Sequence, residues 1–140
     1  MADIVTTYWK ENMILESDNP NKQTVLMESS PDFEGTNSGL SPKALMLSSI
    51  GGCTGLDILS LFKKMRIEVD AFNIVVNGEL TDEHPKYYHK VAIDYHFKGT
   101  DLKEDKITKA VNLSIDRYCG VLEMFRRFAE IKTNIHFHKA

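Results

Sequence analysis

The chain has 140 residues and a mass of 15.9 kDa, the size of one domain, and 42% apolar residues suffice for a core. Its 17 Lys and Arg against 20 Asp and Glu give a charge of −3, without the basic excess of a nucleic-acid binder. Two cysteines exclude a disulfide-stapled scaffold. The opening Met1-Ala2-Asp3-Ile4-Val5 lacks the basic and apolar regions of a signal peptide, so a cytoplasmic protein with reduced thiols is expected.

Ile4 to Trp9 and Met13 to Glu16 have extended character, and Lys10-Glu11-Asn12 between them predicts a turn, so the chain opens on a hairpin. Asp18-Asn19-Pro20-Asn21 is a second turn, and Thr24 to Met27 a third short strand. Ser29 to Gly39 has loop composition with one large apolar residue, Phe33. Ser41-Pro42 starts a helix, with Ser as cap and Pro at the first helical position, and the helix runs to about Met65. Apolar residues occupy most of its faces, which predicts a central helix covered on several sides.

Ala44 to Phe62 is long enough for a membrane span. Its content argues against one. Three glycines and four hydroxyl residues dilute it, and Asp57 near its middle would cost about 2.5–3.5 kcal/mol on insertion. Gly51-Gly52 inside a helix costs about 1 kcal/mol per glycine against Ala, so close backbone packing or a local break must offset it.

Ala71 to Leu80 and Tyr87 to Phe97 form a second hairpin across the turn Thr81 to Lys86. Tyr87, His89, Val91, Ile93, Tyr95 and Phe97 make its apolar face by alternation. Asp101 is placed to cap a helix from Leu102 to about Arg117, with Ile107, Val111, Leu113 and Ile115 inward. Cys119-Gly120 interrupts, Val121 to Glu130 is a further short helix, and Ile131 to His138 closes the chain as a strand. No repeat or linker divides 1–140, so one α+β domain is expected.

The thiols carry the clearest chemistry. Cys53 lies in Gly51-Gly52-Cys53-Thr54-Gly55, where bulk is removed on both sides of a sulfur. A break at Gly51-Gly52 would give Cys53 a fresh helix terminus and a lower pKa; without one, the end dipole has faded there. Asp57, one turn on, would raise that pKa unless it is paired elsewhere. The bland reading is a small buried hydrophobe. Cys119 follows Arg117-Tyr118 and precedes a short apolar helix, so a helix terminus and a guanidinium both favour its thiolate; its bland reading is a filler of a helix corner. The 66-residue separation of Cys53 and Cys119 fits no zinc-knuckle spacing.

His136 and His138 alternate on one face of the last strand, with His84 and His89 as further ring donors, and these are read as ordinary exposed residues rather than metal ligands. Glu123 with Arg126 and Arg127 forms a solvated face, and Phe125 and Phe128 belong to the core. No phosphate loop, GxSxG elbow or HExxH is present.

The run from Ser41 to Ile58, SPKALMLSSIGGCTGLDI, resembles the central-helix motif of the OsmC/Ohr superfamily, and Tyr118-Cys119-Gly120-Val121 resembles its second cysteine motif. The resemblance covers nearly the whole chain. It implies an intertwined homodimer in which two central helices are buried and wrapped by antiparallel sheets from both subunits, with thiol sites at the interface. It also implies a redox stress protein. Carried over from the resemblance, Cys53 would attack an organic hydroperoxide and become a sulfenic acid, Cys119 would resolve it as a disulfide, and a dithiol reductant would reset the pair. The expected partner is a small hydrophobic hydroperoxide or similar ligand, with no metal or other cofactor, nucleic acid or membrane expected.

Peroxidase members also carry a Glu just after the Ser/Asn-Pro of the central helix and an Arg from the N-terminal strands. This chain has Lys43 and Ala44 at the first place and no Arg before Arg66. It therefore looks closest to the less characterised OsmC-like branch. The alternative function is a non-enzymatic small-molecule binding protein that keeps the fold and lacks peroxidase activity.

Overall fold

The structure, a computed structural model, describes residues 1–140. They divide into two compact units, 1–46 and 47–140.

The first unit is a three-stranded antiparallel sheet in the order β1-β2-β3, made of Thr7–Glu11, Ile14–Ser17 and Val25–Glu28. The opening hairpin lies where the sequence predicts it, turned by Asn12 in a left-handed conformation that asparagine tolerates. Only Ser17 and Glu28 are buried here; no apolar side chain of this unit is. Glu28 instead organises the following loop. Its carboxylate accepts hydrogen bonds from the Thr36 amide (2.6 Å), the Thr36 hydroxyl (2.9 Å) and the Ser38 amide (3.0 Å). The loop, with a 3₁₀ turn at Pro31–Phe33, is also held by the Ser29 hydroxyl, which donates to the Phe33 carbonyl (2.8 Å), while the Phe33 ring lies exposed.

α1 (Pro42–Met65) starts with Pro at its first position and runs unbroken through Gly51-Gly52. It ends where Arg66 turns left-handed and the Ile67 amide reaches back to the Phe62 carbonyl (2.9 Å). Lys63 and Lys64 in the last turn complement the helix dipole. A side chain on Gly55 would sit 3.3 Å from Ile74 Cδ1, whereas one on Gly52 would meet nothing within 4 Å. Gly55 therefore allows the helix to approach a strand, and Gly52 opens outward. By length and composition alone α1 suits a membrane. It buries Ile50, Thr54, Gly55, Ile58 and Phe62 but leaves Leu56 and Leu59 exposed, so a single chain does not cover it on all sides.

β4 (Ala71–Leu80) and β5 (Tyr88–Gly99) are antiparallel, and β6 (Glu130–Lys139) adds to the far side of β5 in parallel. This sheet is thus mixed rather than wholly antiparallel, because the helical segment between β5 and β6 returns the chain to the same end before β6 begins. Val91, Ile93, Tyr95 and Phe97 form the buried face as the alternation predicts. Tyr87 does not join them: it precedes β5, a bulge at Glu79/Leu80 shifts the register, and its ring is exposed against Phe128. Phe62, Phe72 and Phe97 pack mutually at 5.6–6.3 Å.

α2 spans Glu104–Leu113 and does not begin at Asp101. The Asp101 carboxylate pairs instead with Lys103 Nζ (2.9 Å), and Glu104 and Asp105 supply negative charge to the first turn. Its last part widens into a π-helical turn, Ser114–Tyr118, closed by the Cys119 amide on the Ser114 carbonyl (2.8 Å). α3 (Gly120–Arg126) follows. Phe125 is buried, whereas Phe128, expected in the core, is half exposed and packs at a tilt against Phe125, 4.9 Å between ring centroids.

Candidate active site

Cys53 sits midway along α1, half-buried, with Thr54 and Asp57 on the same stretch of helix. Cys119 sits where the π-turn meets α3 and is 3% exposed. Both are free thiols. The two sulfurs and a carboxylate oxygen of Asp57 all lie within 4.8 Å of one another. The fold thus brings together two residues that are 66 positions apart. A disulfide needs the sulfurs at ~2.05 Å, a closure that side-chain rotation and a small backbone shift can supply.

Asp57 faces the thiols and is also held from the other side. Ser114 Oγ donates to Asp57 Oδ2 at 3.0 Å. Ser114 Oγ lies 2.7 Å from Thr54 Oγ1, which lies 2.9 Å from the Tyr95 hydroxyl. Thr54, Ser114 and Tyr95 are all fully buried. A carboxylate only accepts, so Ser114 must spend its one proton on Asp57. Thr54 then donates to Ser114 and Tyr95 donates to Thr54. The direction of the whole chain is set by the charge at its end.

Cys119 differs from the thiolate that a helix terminus and Arg117 would favour. Burial pushes its thiol up to about 11, and the neighbouring Cys53 and Asp57 push the same way, against one opposing contact from the Leu122 amide. That amide approaches the sulfur only at 3.5 Å. Arg117 gives no help because its guanidinium lies over the Tyr118 ring, 5.7 Å from the centroid. Burial likewise raises the Tyr95 hydroxyl to about 12, so it remains a donor at any physiological pH.

His96, His136 and His138 are engaged with one another and with Asp94, on the face of β5 and β6 opposite Val91, Ile93 and Tyr95. His136 Nε2 lies 2.8 Å from Asp94 Oδ1, and this hydrogen bond holds the Asp94 carboxyl below its ordinary range despite partial burial. His138 Nε2 lies 2.9 Å from His96 Nδ1, and the His96 ring stacks on His136 at 4.5 Å. His89 lies 3.9 Å from Glu79.

Motif reasoning finds the two thiols but not the buried hydroxyl chain. Thr54, Tyr95 and Ser114 belong to three different elements and share no sequence spacing. The only signal available was indirect: a carboxylate one turn from a thiol required a partner.

A long apolar helix carrying one thiol of a close dithiol pair, within a mixed α+β architecture, defines a narrow class of protein. The OsmC-like protein family matches residues 35–134, and the chain belongs to that family. It is 26% identical over 123 residues to Protein YhfA of Escherichia coli K12, covering 88% of this chain and 89% of that one. A hypothetical protein from Aquifex aeolicus VF5 superposes with a TM-score of 0.82 at 28% identity, over 100% of this chain and 97% of that one. An organic hydroperoxide resistance protein, OsmC of Legionella pneumophila, shares the fold, with a TM-score of 0.71 at 13% identity over 97% of each chain.

Proposed function

We propose that this protein is a thiol-dependent redox stress protein that reduces organic hydroperoxides, with Cys53 as the attacking and Cys119 as the resolving residue. The observation that carries this reading is the approach of two free thiols of unequal exposure beside a carboxylate. Cys53, the more accessible, meets the peroxide first. Its thiolate attacks the terminal oxygen: an S–O bond forms, the O–O bond breaks, and the alkoxide leaves and takes a proton as alcohol. Cys119 then attacks the sulfenic sulfur. An S–S bond forms, hydroxide departs, and the Cys119 proton completes a water. A dithiol reductant reopens the disulfide by exchange.

The reading includes a homodimer, with residues 1–140 acting as one domain in each subunit. Leu56 and Leu59 lie 69% and 50% exposed beside the open Gly52, and the first unit buries no apolar side chain of its own. A small sheet needs an apolar face covered to be stable, and a second copy offers that cover. The working pair needs reducing surroundings, which fits a soluble cytoplasmic protein.

One observation favours a second reading, a non-enzymatic small-molecule binding protein: Lys43 and Ala44 supply no carboxylate at the start of α1, and no Arg precedes Arg66. Consumption of an organic hydroperoxide with a dithiol reductant, in wild type, Cys53→Ser and Cys119→Ser, separates the two. Activity in wild type, none in Cys53→Ser and a single turnover in Cys119→Ser support the reductase. Equal consumption in wild type and Cys53→Ser would overturn the reductase reading, and no consumption at all, with both thiols slow to alkylate at pH 7, would move the assignment to the binding protein.

A further inference from the structure

We propose that Asp57 is the general base for Cys119, taking the thiol proton as Cys119 attacks Cys53, and that Ser114 is the positioning residue that aims the carboxylate. The proposal rests on the dithiol reading of Cys53 and Cys119 but adds a residue and a step to it.

The need for a base follows from the burial of Cys119. Burial and the neighbouring Cys53 and Asp57 hold its thiol well above the ordinary thiol range, so little thiolate is present at neutral pH, and only the thiolate attacks. The residue is 3% exposed, so bulk water has little access to collect the proton. A carboxylate oxygen lies within 4.8 Å of both sulfurs, and the approach of the sulfurs during disulfide formation takes place beside it. Other charged and titratable groups nearby serve less well. Tyr95, with its hydroxyl near 12, donates to Thr54; Arg126 is a cation whose guanidinium donates to the Ile115 carbonyl; Cys53 is itself the electrophile.

The hydroxyl chain fixes the aim. Ser114 Oγ holds Oδ2 at 3.0 Å, and Thr54 and Tyr95 back the serine at 2.7 and 2.9 Å in fully buried positions. Asp57 therefore does not rotate freely to solvent. A carboxylate has several acceptor positions, so the bond from Ser114 leaves capacity to accept a thiol proton. The step balances simply. Cys53–S–X plus Cys119–SH gives the Cys53–Cys119 disulfide plus HX: the S–S bond forms, the S–X bond breaks with its electron pair going to X, and the proton passes from Cys119 through Asp57 to X. X is hydroxide when Cys53 is a sulfenic acid and a thiolate when it is a mixed disulfide.

A mixed disulfide tests this step without a peroxide. Reduced full-length protein is mixed with dithiodipyridine, which releases one chromophoric thione when Cys53 attacks and a second when Cys119 resolves. For Asp57→Asn, which keeps an acceptor for Ser114, the first release should be no slower than wild type, because losing the carboxylate beside Cys53 favours its thiolate, while the second should slow about a hundredfold at pH 7. The deficit should shrink as pH rises toward the Cys119 value, because hydroxide then does the work. Ser114→Ala should slow the second release by a smaller factor, leave the first unchanged, and keep the proposal testable if Asp57→Asn does not fold. Equal second releases in wild type and both variants at pH 7 would overturn the role of Asp57. A protein that shows the two-phase release but no hydroperoxide consumption would instead overturn the peroxidase reading and leave Asp57 in place.

Discussion

Gly55 faces Ile74 so closely that the first carbon of any side chain would stand 3.3 Å from its Cδ1. Two terms of opposite sign meet there. Alanine gains about 1 kcal/mol of helix propensity over glycine, and the flexible end of Ile74 can give by a few tenths of an ångström. Gly55→Ala should therefore stay within about 1 kcal/mol of wild type in urea unfolding. Gly55→Val, with two further carbons and no room for them, should lose at least about 2 kcal/mol. A valine variant as stable as the alanine one would show that the helix is not seated on β4 as described.

Gly52 gives the opposite experiment. Nothing lies within 4 Å of its open side in one chain. In an isolated subunit Gly52→Ala should raise stability by about 1 kcal/mol. In a dimer whose helices meet at this point, the same methyl should weaken association, and Gly52→Trp should give monomers in sedimentation. A tryptophan variant that remains dimeric would place the interface elsewhere.

Thr54 should matter more than Tyr95. Thr54→Val removes the link between two buried hydroxyls, Tyr95 on one side and Ser114 on the other. The Tyr95 hydroxyl is then stranded, at a cost of about 1–3 kcal/mol. Tyr95→Phe removes the stranded group together with its bond, so its loss should be about 1 kcal/mol. Chemical denaturation of the two variants checks the order.

Cys119 should resist alkylation until alkaline pH. Its thiolate fraction grows tenfold for each pH unit below about 11, so in Cys53→Ser the alkylation rate should keep rising well beyond the ordinary thiol range. A rate that levels off near neutral pH would show that burial does not hold the proton.

Glu28 should make the loop after β3 sensitive to acid. Burial alone would raise its pKa, but hydrogen bonds from Ser38 and Thr36 outweigh burial and hold the carboxyl below its ordinary 4.5. A lowered folded value means that the stabilisation is present above pH 4.5 and is lost as pH falls through the lower, folded value. Proteolysis within 29–39 should therefore accelerate below that range in wild type, and at all pH values in Glu28→Gln. Cleavage independent of both would remove Glu28 as the organiser of the loop.

Where a local rule decides an element, the sequence is legible. Ser41-Pro42 marks the start of α1, alternation marks the buried face of β5, and the two cysteine motifs mark the thiols. Where two distant side chains compete, it is not. Asp101 has the chemistry of a cap, yet Lys103 takes its carboxylate. Arg117 is two residues from Cys119 in sequence, yet it lies over Tyr118. His96 and Asp94 face His138 and His136 only because β6 lies parallel to β5 in that register, a pairing that no single strand encodes.

The parallel pairing of β5 and β6 also sets a timetable. β5 is the middle strand, with β4 beside it after a short turn, but its other edge must wait for the whole of α2, the π-turn and α3 to be made and folded back. During synthesis that edge stays open, with its backbone groups unpaired, until β6 has emerged. Long-range closure of this kind is slow, and an unpaired strand edge recruits other strands in the meantime. Removing the ten residues of β6, Glu130–Lys139, would thus do more than shorten a terminus: it would leave β5 permanently as an open template for aggregation.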